Sequence, residues 1–189
     1  MKDRPLHLAV IIGSAREGRV GDRIARWFVA EAGRRDEVLV SVIDIAGFAF
    51  PPGYPAEATP QMAAFAAEVE RADAFVVVTP EYNHSFPASL KQAIDFAYDE
   101  WHAKPVGFVS YGCRSEGLHA VDQLRTVFTA LHTVTMRDGV GVDLLDDDGD
   151  LERLLGGDAP VQAAHVLLDQ LCWWGLTLRE GRAARPYVS

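Results

Sequence analysis

The sequence predicts an α/β protein with a doubly wound parallel sheet, on three observations. Five apolar, largely β-branched runs alternate with amphipathic stretches along 189 residues, and strands separated by helices call for right-handed crossovers and a sheet covered on both faces. The most polar loop, Thr79 to Pro87, falls where a buried run hands over to a helix, the place where open parallel sheets bind ligands. A hydrophobic fraction of 49% over this length suits one well-buried domain, read as residues 1–189, and is short for two.

The elements follow in order. Leu6 to Ile12 is an uninterrupted apolar run, as a doubly covered strand requires, and a polar glycine loop ends it. Gly21 to Ala32 then reads as a helix whose inward face carries Ile24, Trp27 and Phe28. Val38 to Ile43 is the second strand. Gly47 to Thr59, with Pro51, Pro52, Gly53 and Pro55, excludes regular structure. Helices are expected at Pro60 to Arg71, at Pro87 to Trp101 (Leu90, Ala93, Ile94, Ala97 and Trp101 on one face) and at Gly117 to Leu131 (Val121, Leu124 and Phe128 inward). Strands at Ala74 to Thr79, at Val106 to Ser110 and, more weakly, at Thr133 to Met136 separate them. Pro87 is placed in the first helical turn, where a proline loses no hydrogen bond.

Arg137 to Asp158 is acidic and glycine-bearing and reads as a long connection. Within it, Asp146-Asp147-Asp148-Gly149-Asp150 lacks calcium-loop spacing, because Leu144 and Leu155 stand where acidic ligands are needed, so it reads as a solvated turn. The last helix, Asp158 to Leu176, is apolar on more than one face through Val161, Val166, Leu167, Leu168, Leu171, Trp173 and Trp174. Either a second subunit covers one side or the helix is clamped within its own domain.

A formal charge of -9 argues against nucleic-acid or anionic-membrane surfaces, which need clustered Lys and Arg. Cys113 and Cys172 are far apart and in no metal-binding spacing, so neither a disulfide framework nor a metal is expected, and a cytoplasmic location fits. No apolar segment reaches membrane-spanning length.

Two loops carry the chemistry. Gly13 to Gly21 joins a buried strand to a helix N-terminus, where unpaired N–H groups favour an anion. Gly13 permits a close turn, Ser14 adds a hydroxyl, and Arg16 and Arg19 add guanidinium donors for a phosphomonoester, although for Arg19 a solvent-facing role is equally ordinary. The spacing is neither a Walker loop nor Gly-x-Gly-x-x-Gly, which disfavours an ATPase and a Rossmann dehydrogenase.

Pro80-Glu81-Tyr82-Asn83-His84-Ser85, followed by Leu90-Lys91-Gln92-Ala93-Ile94-Asp95, resembles the signature of the NADPH-dependent FMN reductases. These flavodoxin-like enzymes include quinone, azo-dye and chromate reductases. Gly13-Ser14-Ala15-Arg16-Glu17-Gly18-Arg19-Val20-Gly21 looks like that family's phosphate loop, and the likeness continues through Lys104 to Gly112 and Asp122 to Arg125. It implies a flavodoxin-like, five-stranded sheet of order 2-1-3-4-5, an order that alternation alone does not separate from a Rossmann half.

The resemblance also implies FMN and NADPH (or NADH) as cofactors and a homodimer. The phosphate is then held by Gly13, Ser14, Arg16, Arg19, Val20 and Gly21, and the ring is lined by Pro80, Glu81, Tyr82, Asn83, Ser85, Ser110, Tyr111 and Gly112. Flavin N5 carries the hydride, so no protein residue is expected to be catalytic. The acceptor class is a small molecule: a quinone, an azo compound or free flavin. A flavodoxin-type electron carrier is the alternative. Asn83 either bonds the flavin or braces its loop as an Asx turn, and His84 is either a proton donor or plain polar surface. The chain departs from the family where glycines are frequent: Cys113 stands to narrow the slot and, with no nearby cysteine to resolve it, reads as a small packing residue rather than a redox thiol, while Glu116 stands to bring charge to the substrate side.

Overall fold

A computed structural model describes residues 4–145 and 150–188. Its sheet is parallel throughout, with the order β2-β1-β3-β4-β5 expected above, formed by β1 (Leu6–Ile12), β2 (Val38–Asp44), β3 (Ala74–Pro80), β4 (Pro105–Gly112) and β5 (Val134–Thr135). Side chains alternate between two cores, as the period of a strand dictates. Leu8, Val10 and Ile12 of β1 join one core, whereas Ala9 and Ile11 join the other.

Helices α1 (Gly21–Ala32) and α6 (Asp158–Ala184) close the first core. Helices α2 (Pro60–Arg71), α3 (Ala88–Asp95) and α4 (Leu118–Ala130) close the second.

The fifth strand departs from expectation, because two segments share one edge. β5 pairs with Pro105 and Val106 at the start of β4, and β6 (Val140–Asp143), in what reads from sequence as a loop, pairs with Val109 to Gly112 at its end. Arg125 of α4 spans the break, its guanidinium donating to the carbonyls of Met136 and Arg137 that the interrupted ladder leaves over. Gly139 sits in the gap, where a Cβ would lie 2.9 Å from the Phe108 carbonyl oxygen.

Two helix lengths also differ. Continuity to Trp101 fails because α3 ends at Asp95: the buried Trp101 indole, in a separate short 3-10 turn, donates to the Ile94 carbonyl at 3.1 Å. Pro87 precedes the first turn as the cap residue rather than lying inside it. Helix α6 runs past Leu176 to Ala184, because Arg179 and Arg182 reach the buried Asp73 carboxylate at the strand-start end of the sheet. The acidic run at 146–149 lies outside the described residues, and Asp150 caps a short helix, α5 (Leu151–Leu155), by accepting from the Arg153 N–H at 3.0 Å.

The apolar breadth of α6 resolves into two faces. Leu167, Leu168 and Leu171 are buried, whereas Trp173 and Trp174 point outward at 61% and 36% exposure. Gly175 beside them packs on Leu6 and Ala74, the first residues of β1 and β3. The exposed aromatic face therefore lies at the end of the sheet away from the strand C-termini. No helix among the described residues is long and apolar enough to cross a membrane.

Candidate functional site

The strand order reverses between β1 and β3, so the loops leaving their C-terminal ends splay apart and open a crevice. Both motif loops leave the sheet here. Gly13 N–H donates to Val78 O at 2.8 Å, and Glu81 N–H donates to Tyr111 O at 2.9 Å, which fixes the loops to the neighbouring strands. A third loop follows β4. Together they enclose a cavity of about 390 Å³, within the size range of small-molecule sites.

Arg16, Arg19 and Val20 line it from the first loop, Pro80, Glu81 and Tyr82 from the second, and Tyr111 and Gly112 from the third. Beneath them lie Gly13, Ser14, Gly21 and Ser110, all buried. Gly13 is a steric requirement, since a Cβ there would come within 2.9 Å of Leu90 and 3.0 Å of the Val78 carbonyl oxygen. Ser14 Oγ accepts from Arg16 N–H at 3.3 Å and lies 3.2 Å from the Tyr82 hydroxyl, so it couples the first two loops.

The two arginines separate cleanly. Arg19 forms a two-point pair with Asp44 at the end of β2 and donates to the Ser14 carbonyl, and the Asp44 carboxylate raises its pKa. Its charge is thus already matched, and it braces the loop. Arg16 is exposed, and among the described residues its guanidinium has no partner. Helix α1 begins without a side-chain cap at Val20, which leaves its first N–H groups to a ligand or water.

Tyr111 gives the sharpest indication that something binds. Its hydroxyl is buried and meets no partner in hydrogen-bonding geometry, and a Cβ on Gly21 would fall 2.5 Å from it. Burial, then the neighbouring Tyr82, pushes its pKa well above 10.0, while Arg19 and Ser14 oppose the shift only in part. A buried, orphaned donor beside an uncapped helix start and a free guanidinium fits a phosphate-bearing cofactor. FMN meets that description.

The remaining expected residues are placed as follows. Tyr82 and Ser85 exchange two backbone hydrogen bonds, N–H to O at 2.8 and 3.0 Å, around Asn83 and His84, whose φ values are 51° and 62°. Two successive left-handed residues make a primed hairpin turn, so Asn83 serves through its backbone, at the exposed tip and away from the cavity wall. Ser85 Oγ donates to Gln123 Oε1 at 2.6 Å and faces a larger groove against α3. Ser110 Oγ donates to the Glu116 carbonyl at 2.7 Å.

Cys113 is exposed and lines the cavity, as its sequence position suggests. Glu116 does not line it. Its carboxylate lies over Gly141 of β6, 2.3 Å from where a Cβ would stand, and its φ of 53° is the backbone reason that a glycine suits this position. Leu144 completes the wall and was not foreseen, because it follows β6, where the sequence shows only an acidic loop.

A family model for NADPH-dependent FMN reductase matches residues 6–144. The chain is 32% identical over 167 residues to an NAD(P)H-dependent FMN reductase of Schizosaccharomyces pombe, covering 79% of this chain and 83% of that one. It is 31% identical over 158 residues to a quinone reductase of Pseudomonas putida, covering 76% and 83% respectively. Among solved structures, FerB from Paracoccus denitrificans, a flavoenzyme NAD(P)H:acceptor oxidoreductase, superposes with a TM-score of 0.78 at 19% identity over 91% of this chain and 98% of that one. A flavodoxin from Pseudomonas aeruginosa gives 0.55 at 18% identity over 89% and 98%, a likeness of fold.

Proposed function

Because the chain belongs to the NADPH-dependent FMN reductase family, oxidoreductases that use FMN and NAD(P)H, we propose that it passes electrons to a flat small-molecule acceptor of quinone, azo or free-flavin type. The observation that carries the site assignment is the orphaned Tyr111 hydroxyl, buried beneath the uncapped start of α1 with the exposed Arg16 beside it. When bound, FMN supplies hydride acceptance and return at its ring. The chain's own residues bind and orient. Arg16 and the first N–H groups of α1 take the phosphate charge, with Tyr111 as a neutral donor that its raised pKa keeps protonated.

Pro80, Glu81 and Tyr82 on one side and Gly112 and Cys113 on the other form the slot walls. The Glu81 N–H to Tyr111 O bond, 2.9 Å long, ties the loop after β3 to the end of β4, so the residues that would border a flat ring are fixed relative to one another before a ligand enters. Nicotinamide and acceptor would then share one open face in turn, and ping-pong kinetics are expected. The exposed Cys113 borders that face and narrows it for the acceptor.

The protein acts as a homodimer in a reducing, cytoplasmic setting. Its exposed Trp173 and Trp174 pair and its two free cysteines support these readings. Anaerobic mixing of the FMN-loaded protein with NADPH or NADH tests the assignment. Bleaching of the flavin band, followed by recovery on adding a quinone, an azo dye or free flavin, is expected; a band that stays oxidised until a separate reductase is added would make the chain an electron carrier instead.

A further inference from the structure

Glu81, His84 and His119 each offer one ligand atom, and these atoms all lie within 4.8 Å of one another. Sequence spacing gives no hint of this. The three residues come from the end of β3, the tip of the 82–85 turn and the first turn of α4, and only the fold brings them together. The two imidazole rings have centroids 4.4 Å apart at 51°. Glu81 also lines the 390 Å³ cavity, whereas His84 and His119 stand outside it, so the cluster sits on the cavity rim and the proposed electron transfer does not use its histidines.

We propose that Glu81, His84 and His119 form a binding site for a divalent transition-metal ion of the Zn²⁺, Ni²⁺ or Cu²⁺ class. Two neutral imidazole nitrogens and one carboxylate oxygen suit these borderline cations, whereas Ca²⁺ and Mg²⁺ require oxygen ligands throughout. Three protein ligands leave at least one coordination position for water or another small donor. The supporting shell is already built. Gln123, one helical turn beyond His119 on the same face of α4, donates to the His84 carbonyl at 2.7 Å and accepts from Ser85 Oγ at 2.6 Å.

The turn that carries His84 is therefore tied to the helix that carries His119. The Glu81 carboxylate is oriented as well, since its Oε2 accepts from the His119 N–H at 3.1 Å. Around a tetrahedral zinc with bonds of about 2.0–2.2 Å the ligand atoms stand about 3.4 Å apart. Closure from the observed spacing needs a rotamer adjustment at His84 and His119, both of which are exposed and free to make it. Metal binding would lock the Tyr82–Ser85 turn to α4 and place a cation beside the cavity mouth.

The test uses FMN-loaded protein without a purification tag, titrated with ZnCl₂ by calorimetry and with CoCl₂ by visible absorption. One Zn²⁺ per chain is expected, with Co²⁺ giving the intense d–d bands of a four-coordinate ion. His84→Gln and His119→Gln should each weaken binding by more than the roughly 10–100-fold that loss of an outer-shell partner costs. Gln123→Ala, which removes no ligand, should weaken it by roughly tenfold. Far-UV circular dichroism and flavin content check the fold of each variant, and if a histidine variant misfolds, Gln123→Ala decides alone. Absence of saturable Zn²⁺ binding in the wild type would overturn the proposal. So would binding that both single-histidine variants retain, or that Gln123→Ala leaves unchanged when it alone decides.

Discussion

Tyr111→Phe should move the apo protein and the FMN complex in opposite directions. The Tyr111 hydroxyl is buried, with the residue only 4% exposed, and meets no partner in hydrogen-bonding geometry. Leaving such a group unpaired costs about 1–3 kcal/mol, so deleting it should stabilise the apo protein by that amount. For a chain of this length each kcal/mol moves Tm by about 2–4 °C; the apo variant should therefore melt roughly 2–12 °C higher. FMN, by contrast, loses a donor to its charged end, worth about 1.5–3 kcal/mol, or roughly a 10- to 150-fold rise in Kd.

A pH arm checks the same hydroxyl. Burial raises the folded-state pKa above 10.0, so its stability contribution is complete below that value and is lost as pH rises, because the unfolded chain ionises first. Above about pH 10 wild-type stability should fall by an extra 1.4 kcal/mol or so per pH unit relative to the variant. Differential scanning of apo protein and fluorescence titration with FMN supply both readouts. An apo variant that melts no higher, together with an unchanged FMN Kd, would show that water already satisfies the phenol and that no ligand uses it.

Other outcomes follow from neighbouring residues. Arg16→Ala should weaken FMN by roughly 10- to 150-fold, from a charge-assisted contact of about 1.5–3 kcal/mol, and leave riboflavin almost untouched in parallel titrations; equal weakening of both would indicate a collapsed loop. Arg19→Ala, which frees Asp44 and the Ser14 carbonyl, should instead weaken both flavins and lower the apo melting temperature. Replacing Cys113 by Gly should change rate ratios among quinone, azo and flavin acceptors more than it changes FMN affinity, and constant ratios would remove Cys113 from the acceptor side. Trp173→Arg should convert a dimer to a monomer in light scattering if the outward face of α6 is the interface, and a wild type that is already monomeric at micromolar concentration would exclude self-association there.

The strands and most helices were legible because their signals are local. Leu6 to Ile12 needs no context to read as a buried strand, and Gly21 to Ala32 and Pro60 to Arg71 carry their own periodicity and stops. Where the reading missed, a distant partner decides. No feature of residues 96–98 announces that a buried indole will take the Ile94 carbonyl and end α3 early. The split of the edge strand depends on Arg125 covering two carbonyls from another layer, and the extension of α6 depends on a carboxylate at position 73, more than a hundred residues away in sequence.

The same division runs through the site. Which loops meet was readable, because strand-to-helix junctions on one side of a switch point must converge. What each side chain does there was not, because roles are set by what competes for them. Arg16 and Arg19 are chemically identical and three residues apart, yet Asp44 from the end of β2 occupies only the second. Asn83 looks like a ligand donor in sequence, but the turn it occupies needs a residue that tolerates left-handed backbone, and that requirement is met without its amide. Tyr111 sits in a strand, where its neighbours in sequence suggest a slot wall, and only the close approach of Gly21 shows that its hydroxyl ends beneath the helix start instead. Chain order fixes which backbone reaches the crevice. Pairing across layers fixes which of its charges and hydroxyls are left for a ligand.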